Sequence, residues 1–191
     1  MILELGIGSL MLYNYFNSQN ANSQNPEWTR FDALFEKYAL KYQVPSSWLK
    51  AIALNESDLG RAKSVAVGIK NPENIEGSKS SDGKSWGLMQ VTLATARALD
   101  PSATQAKLNN PEYSIDLGAR VVRDNMNSVA KFVSKADPRY VEFVIKSYNQ
   151  GPTHSRNEFF GKPSNPSWQD HVQKYWAKFL RNFELVKKGS L

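Results

Sequence analysis

The helical spacing of apolar residues is the feature that most constrains the fold of this chain. Apolar and aromatic side chains recur at intervals of three and four residues over 31–42, and the same spacing returns over 115–133, 141–148 and 168–183. Such intervals place side chains on one face of a helix, where they can be buried together. No run shows the alternation of apolar and polar residues that is typical of a half-buried strand. The sequence therefore predicts a mainly α domain with little or no β-sheet.

Prolines and short polar residues mark the ends of several predicted helices. Asn110 and Asp137 each precede a proline, and this order is typical of a capping side chain followed by the first helical residue. Pro45 ends the helix over 31–42, and Ser46 or Ser47 is expected to cap the next helix. Between the second and third predicted helices, residues 61–84 are rich in Gly, Ser, Lys and Asn, and they indicate a long loop.

The chain length of 191 residues suits one domain with a proper core. Residues 1–16 are mostly apolar, and the polar stretch 17–25 has the composition of a linker. The domain organisation is therefore predicted as an N-terminal segment plus linker over 1–25 and a folded domain over 26–191. The first 16 residues are either a helix packed on the domain or on a partner, or a membrane anchor, although they are short for a membrane span. They are a poor match to a secretory signal, because they carry no basic residue.

Glu56 is the first candidate for chemistry. It falls in the last turn of the second predicted helix, on the same face as Trp48 and Ile52. Burial and the negative end of the helix dipole both disfavour the ionised carboxylate, so both raise its pKa. A carboxylic acid that stays protonated near neutral pH can serve as a general acid. The alternative is a glutamate that is paired with a basic side chain or points to solvent.

Two later stretches support the interpretation of Glu56 as an acid. The stretch "SWGLMQVTLATA" follows the long loop and leads into a short helix, and "SYNQGP" stands at the end of another helix. Together with "NES" around Glu56, in this order, they resemble the motifs of the catalytic domain of lytic transglycosylases with the goose-type lysozyme-like fold. The resemblance covers about residues 30–183. The further residues concerned are Ser57, Ser85, Gly87, Met89, Gln90, Tyr148 and Asn149.

The resemblance implies a role for each of these positions. Glu56 is expected to be the sole catalytic acid and base, with Ser57 beside it orienting the substrate and the acid. Tyr148 is expected to hydrogen-bond Glu56 or the reacting sugar, and Gly87 to leave room for sugar near the backbone. The remaining substrate-binding candidates line the glycan subsites or the cleft, and they are Ser85, Met89, Gln90 and Asn149. The ordinary alternatives stay open for three of these residues: a turn at Gly87, a core filler at Met89 and a core aromatic at Tyr148.

The sequence departs from the family pattern in three places. The stretch 61–84 is an insertion relative to the commonest members, and it is expected near the cleft. Leu93 stands where many members have proline. His171 and Val172 stand where the family often has Tyr-Val before its last helix, and this puts one substrate contact in doubt.

The implied reaction cleaves the β-1,4 bond between N-acetylmuramic acid and N-acetylglucosamine in peptidoglycan and forms 1,6-anhydro ends. It consumes no water, and it requires neither a second carboxylate nor a cofactor. Ordinary glycosidases use two carboxylates. Asp82 is a candidate second carboxylate, and with it the enzyme would be an inverting goose-type-like lysozyme; a solvated aspartate in a Ser/Gly loop is the ordinary alternative. A non-catalytic wall-binding or structural protein on the same fold is the third interpretation.

Other function classes fit the sequence less well. The chain has two histidines and no HExxH pattern, so no metal site is expected. The net charge of +6 suits a polyanionic partner, but the basic residues are scattered, and no nucleic-acid partner is expected. We expect a monomeric catalytic domain that acts in the bacterial cell envelope (in the periplasm or at a membrane) or in a phage virion. Residues 1–16 are the candidate contact with a membrane, a virion or a secretion complex.

Overall fold

The computed structural model describes residues 26–60 and 84–189, without the side chains of Pro26 and Glu27. The N-terminal segment 1–25, nearly all of the long loop and the candidate carboxylate Asp82 lie outside the described residues. The expectations for these parts therefore stay predictions. None of the helices over 26–60 and 84–189 combines the length and the apolar composition of a membrane-spanning segment.

The prediction of a mainly α fold is confirmed. One small antiparallel hairpin accompanies the helices. Its strands are β1 (Ser85–Trp86) and β2 (Val91–Thr92). The helices are α1 (Pro26–Thr29), α2 (Asp32–Tyr42), α3 (Ser46–Ser57), α4 (Leu93–Leu99), α5 (Gln105–Asn109), α6 (Pro111–Val129), α7 (Tyr140–Gln150), α8 (Pro152–Phe159) and α9 (Pro166–Lys187).

The helix α3 forms the centre of the core. It packs against α2, α6 and α9, so it is buried on more than one face. Leu49 and Ile52 are fully buried, and so are the small residues Ala51 and Ala53 on either side of Ile52. The middle of α3, over 48–54, is apolar except for Lys50, and this composition is typical of such an interior position. The sequence pattern marked one buried face of α3, and the neighbouring helices bury the others.

The predicted capping signals hold at one helix start and fail at two. Asn110 caps α6, because its side-chain oxygen accepts a hydrogen bond from the backbone N–H of Tyr113 at 3.0 Å. Asp137 instead binds the backbone N–H and the guanidinium of Arg139, and α7 therefore begins later, at Tyr140. The prediction of a serine cap for α3 was wrong, because Pro45 takes the capping position and the helix starts with Ser46 itself.

Several short elements were not expected from the sequence, and α8 and the hairpin are among them. Gly151 ends α7 as predicted, but its φ of 82° turns the chain directly into α8, which begins at Pro152. The hairpin pairs Ser85 with Thr92 and Trp86 with Val91. Strands of two residues are too short to show an alternating pattern, which explains why the sequence does not reveal them.

Leu93, the departure from the family's proline, extends this hairpin. Its backbone N–H donates a hydrogen bond of 3.2 Å to the carbonyl oxygen of Lys84. A proline has no N–H group and would lose this bond. With leucine at this position, the end of the hairpin therefore keeps one additional backbone hydrogen bond before α4 begins.

Candidate active site

Glu56 occupies the last turn of α3, where the helix ends at the core of the domain. The cap residue Asp58 takes a left-handed conformation with φ of 52°, so the chain leaves the helix sharply after Ser57. The Glu56 side chain is partly buried. The fold thus holds one carboxyl group at a fixed helix end, between the body of the domain and solvent.

Tyr175 of α9 is the direct partner of this carboxyl group. Its hydroxyl donates a hydrogen bond of 2.6 Å to Oε1 of Glu56. One helical turn earlier, His171 and Val172 stand where the family often has Tyr-Val, and this departure puts one substrate contact in doubt. Val172 is fully buried and His171 is exposed and stacked on Trp168, so neither is the partner of the acid.

The sequence carried only a weak signal for Tyr175. Tyr175 was recognised as part of the apolar face of the last helix, where an aromatic residue is ordinarily a core residue. Only the packing of α9 against α3 selects its hydroxyl as the partner of Glu56.

The surroundings of Glu56 favour its protonated form. Burial raises the pKa of Glu56 from its ordinary value of 4.5 to about 7, while the hydrogen bond from Tyr175 and the charge of Lys178 act in the opposite direction. The direction of the pKa shift agrees with the one that the position in the last turn predicts. A carboxyl group with a pKa near neutrality can give up a proton and take one back with similar ease.

Tyr148 of α7 lies near the same carboxyl group. Burial raises its pKa well above the usual value, and the charge of Glu56 raises it further. Its hydroxyl donates a hydrogen bond of 2.8 Å to the backbone carbonyl of Met89. Tyr148 was expected to bond Glu56 or the sugar; in this structure Tyr175 bonds Glu56, and Tyr148 holds the turn that carries Met89.

Ser57 connects the end of α3 to that same turn. The residue is only 3% exposed, and its hydroxyl donates a hydrogen bond of 2.7 Å to the carbonyl of Leu88. The same oxygen accepts a bond of 2.9 Å from the N–H of Gly60. Through these contacts Ser57 connects the end of α3 to the turn that carries Leu88. Its role in orienting the substrate and the acid stays a prediction.

Gly87 and Met89 pack into the protein in this structure. Gly87 has a φ of +77°, and a β-carbon added there would lie 1.8 Å from the carbonyl oxygen of Leu108. The expected room for sugar on this side of Gly87 is therefore taken by α5. Met89 is fully buried, and its side chain fills the space next to Gly118 of α6. Both positions correspond to the ordinary alternatives that the sequence left open.

Three polar candidates are more accessible. Ser85, Gln90 and Asn149 are each partly exposed. The Gln90 amide donates a hydrogen bond of 2.8 Å to the carbonyl of Gly87, so its orientation is fixed. The side-chain oxygen of Asn149 is buried and has no hydrogen-bond partner within the described part of the chain. Their assignment as sugar contacts stays a prediction.

Asn55, next to Glu56, was missed by the sequence analysis. It is 8% exposed and is bound by three residues of α9. Its side-chain amide donates to the carbonyl of Tyr175 at 3.1 Å and its side-chain oxygen accepts from Asn182 at 2.6 Å, while Lys178 donates to its carbonyl at 2.5 Å. An asparagine inside a helix carries no local signal for such contacts, since they depend on a helix far away in the sequence.

Metal chemistry was not expected. Over 26–60 and 84–189, no three His, Asp or Glu side chains come together as a metal site requires.

The chain matches a model of a known protein family. No curated protein matches the chain. A family model described as "Transglycosylase SLT domain" matches residues 33–170. This range includes Glu56, the Gly-Leu-Met-Gln turn and Tyr148, and it covers well over half of the chain. The resemblance inferred from the motifs is thereby confirmed, and the chain belongs to the family of transglycosylase SLT domains, within the lysozyme-like superfamily.

Proposed function

We propose that this protein cleaves the β-1,4 bond between N-acetylmuramic acid and N-acetylglucosamine in peptidoglycan and leaves 1,6-anhydro-muramic ends. Membership of the SLT family supports lytic transglycosylase activity on peptidoglycan in general. The observation that carries the finer proposal is the setting of Glu56, a partly buried carboxyl group with a pKa of about 7 and a tyrosine donor at 2.6 Å.

The proposed reaction needs one group that is first an acid and then a base. Protonated Glu56 donates its proton to the bridging oxygen as the bond from that oxygen to C1 of the muramic residue breaks. The resulting carboxylate then removes the proton from the 6-hydroxyl of the same sugar. The 6-oxygen bonds to C1, and the ring closure leaves Glu56 protonated again. Atoms balance without water, and no second carboxylate is required.

The contacts of Glu56 support both halves of this cycle. Burial favours the protonated form before the bond breaks, and the Tyr175 hydroxyl and the Lys178 charge favour the carboxylate that forms afterwards. Such balance is what general acid-base catalysis requires, since the most effective group has a pKa near the working pH.

Mass spectrometry of digested peptidoglycan tests the proposal. Anhydro and reducing ends differ by one water, so the products of purified enzyme on isolated cell walls identify the reaction. Anhydro ends produced by the wild type and absent with Glu56→Gln support the proposal. Reducing ends from the wild type, lost in Asp82→Asn, would identify a lysozyme that uses Asp82 instead. Binding to cell walls without any cleavage would identify a non-catalytic wall-binding protein.

We further propose that the protein works at a bacterial cell envelope, where its substrate lies, or enters one as part of a phage virion or a secretion complex. The net charge of +6 fits an anionic wall. The apolar segment 1–16 is the proposed contact with a membrane or an assembly. Fractionation of the full chain and of a chain lacking residues 1–16 tests this, since only the full chain should be found with membranes or assembled particles.

A further inference from the structure

The last helix holds the end of α3 through Asn55, the residue before the candidate acid. Lys178, Asn182 and the backbone of Tyr175 all bind Asn55, from three successive positions along one face of α9. Because Tyr175 also binds Glu56 directly, this face of α9 is in contact with two consecutive residues of α3. The contacts of Lys178 and Asn182 lie outside the three sequence motifs and outside the matched range 33–170.

Lys178 supplies a hydrogen-bond donor to a backbone carbonyl at the end of α3. The last four carbonyl groups of an α-helix have no partner within the helix, and they carry the negative end of its dipole. The last turn of α3 contains no basic residue of its own. The ammonium group of Lys178 lies 2.5 Å from the Asn55 carbonyl oxygen and thus brings a positive charge to this helix end from another helix.

We propose that Lys178 is a positioning residue for Glu56, because it fixes the carbonyl end of α3 and holds a positive charge beside the carboxyl group. The groups that face Glu56 from the packed helices are Tyr148 of α7 and Tyr175 and Lys178 of α9. Of these three, Lys178 brings the positive charge. It lowers the pKa of Glu56 and so opposes the effect of burial.

The role of this charge follows from the cycle proposed above, on which the inference rests. Burial alone would favour a permanently protonated acid, which donates a proton poorly and leaves a weakly stabilised carboxylate. A nearby ammonium group stabilises the carboxylate after bond cleavage. Lys178 therefore keeps both protonation states of Glu56 accessible near neutral pH.

Two substitutions separate the charge of Lys178 from its hydrogen bond. Lys178→Gln keeps a donor for the Asn55 carbonyl and removes the charge, whereas Lys178→Arg keeps both. The matched control is Lys174→Gln, one turn earlier on α9, where the lysine is exposed and pairs with Asp170. The direct readout is the titration of the Glu56 carboxyl group, followed by carbon-13 NMR in the free protein, and the second readout is the pH profile of wall lysis.

The inference predicts that Lys178→Gln raises the Glu56 midpoint by about 0.5–1 unit at low salt, a size typical of an opposite charge that solvent partly screens. The descending limb of the lysis profile should move to higher pH with it. Lys178→Arg and Lys174→Gln should leave both unchanged. An unchanged midpoint in Lys178→Gln, or an equal shift in Lys174→Gln, overturns the inference.

The titration also distinguishes this inference from the proposed reaction. If the protein proves inactive on peptidoglycan, the midpoint of Glu56 in the free protein still reports the effect of Lys178. If Lys178→Gln does not fold, the wild type is titrated at increasing salt. The midpoint must then rise as the exposed ammonium charge is screened, and a midpoint that does not move with salt overturns the inference.

Discussion

The hydroxyl of Tyr175 lies 2.6 Å from the carboxyl group of Glu56, although the two residues are 119 positions apart in the sequence. The contact joins the central helix α3 to the last helix of the domain. The range that the family model matches ends at residue 170, before Tyr175. The setting of the candidate acid therefore depends on a helix that the shared family pattern only begins to cover.

Replacement of Glu56 by glutamine should abolish most of the activity. Gln keeps the shape of the side chain and removes the proton, so the rate of wall lysis should fall by at least about 10²-fold, the usual size of general acid-base catalysis. Turbidity loss of isolated cell walls measures the rate, and a thermal melt measures the fold. Glu36→Gln, at an exposed position of α2, is the control that should change neither. Near-normal lysis by a folded Glu56→Gln protein would refute the assignment of Glu56.

Replacement of Tyr175 by phenylalanine should weaken the enzyme without stopping it. The substitution removes one hydrogen bond to a charged group, so we expect a loss of roughly 10-fold in the lysis rate. Because this bond lowers the pKa of Glu56, its loss should also move the descending limb of the pH profile upward. The control is Tyr42→Phe, since Tyr42 donates a similar bond of 2.7 Å to Asp116 away from Glu56. Identical pH profiles for the two variants would argue against the role of Tyr175.

The sequence predicted those parts of the site that depend on local pattern. The position of Glu56 at a buried helix end and the Asn110 cap follow from spacing and from residue type within one turn. The register of α9 does not, because its apolar face carries five aromatic residues, and their spacing alone does not tell which of them meets the acid; they are Trp168, Tyr175, Trp176, Phe179 and Phe183. Only the packing of α9 on α3 selects Tyr175 as the residue that meets the acid.

The same limit explains why the sequence left the alternatives at Gly87 and Met89 open. Both belong to a motif whose resemblance to the family implies contact with sugar, yet Gly87 lies against Leu108 and the Met89 side chain fills the space next to Gly118. These neighbours come from α5 and α6, which follow the motif in the chain. The motif therefore locates this turn in the sequence, but the packing of α5 and α6 against it determines which of its residues are buried.

The stability of the protein should depend on pH through Glu56. Its pKa is raised from 4.5 to about 7 in the folded state, so folding favours the protonated form. This contribution to stability is complete below pH 4.5 and is lost as pH rises through about 7, because the unfolded chain binds fewer protons in that window. The raised pKa corresponds to at most about 3 kcal/mol.

Urea unfolding of the wild type and of Glu56→Gln at pH 4.5 and at pH 7.5 checks this expectation, because other titrating groups cancel in the difference. From pH 4.5 to pH 7.5 the wild type should lose up to about 3 kcal/mol of unfolding free energy relative to the variant, because only the wild type carries the Glu56 carboxyl group. Parallel behaviour of the two proteins would show that the folded-state pKa of Glu56 is close to its ordinary value.

Alanine at Gly87 should destabilise the domain and reduce lysis together. Gly87 has a φ of +77°, and the new β-carbon would meet the Leu108 carbonyl at 1.8 Å. Gly161 is the matched control, with a φ of +72° and no atom within 4 Å of the new β-carbon. Both variants carry the left-handed strain of about 1–2 kcal/mol, and Gly87→Ala adds a clash with backbone that costs about 1–3 kcal/mol more.

Thermal melts of the two variants measure this difference, and Gly87→Ala should show the larger loss of melting temperature. Lysis per folded molecule should fall in Gly87→Ala alone, because the displaced turn carries the Met89 carbonyl that Tyr148 binds. Equal melting temperatures for the two variants would mean that the turn moves away from α5 at little cost and that Gly87 is needed for its backbone angle alone.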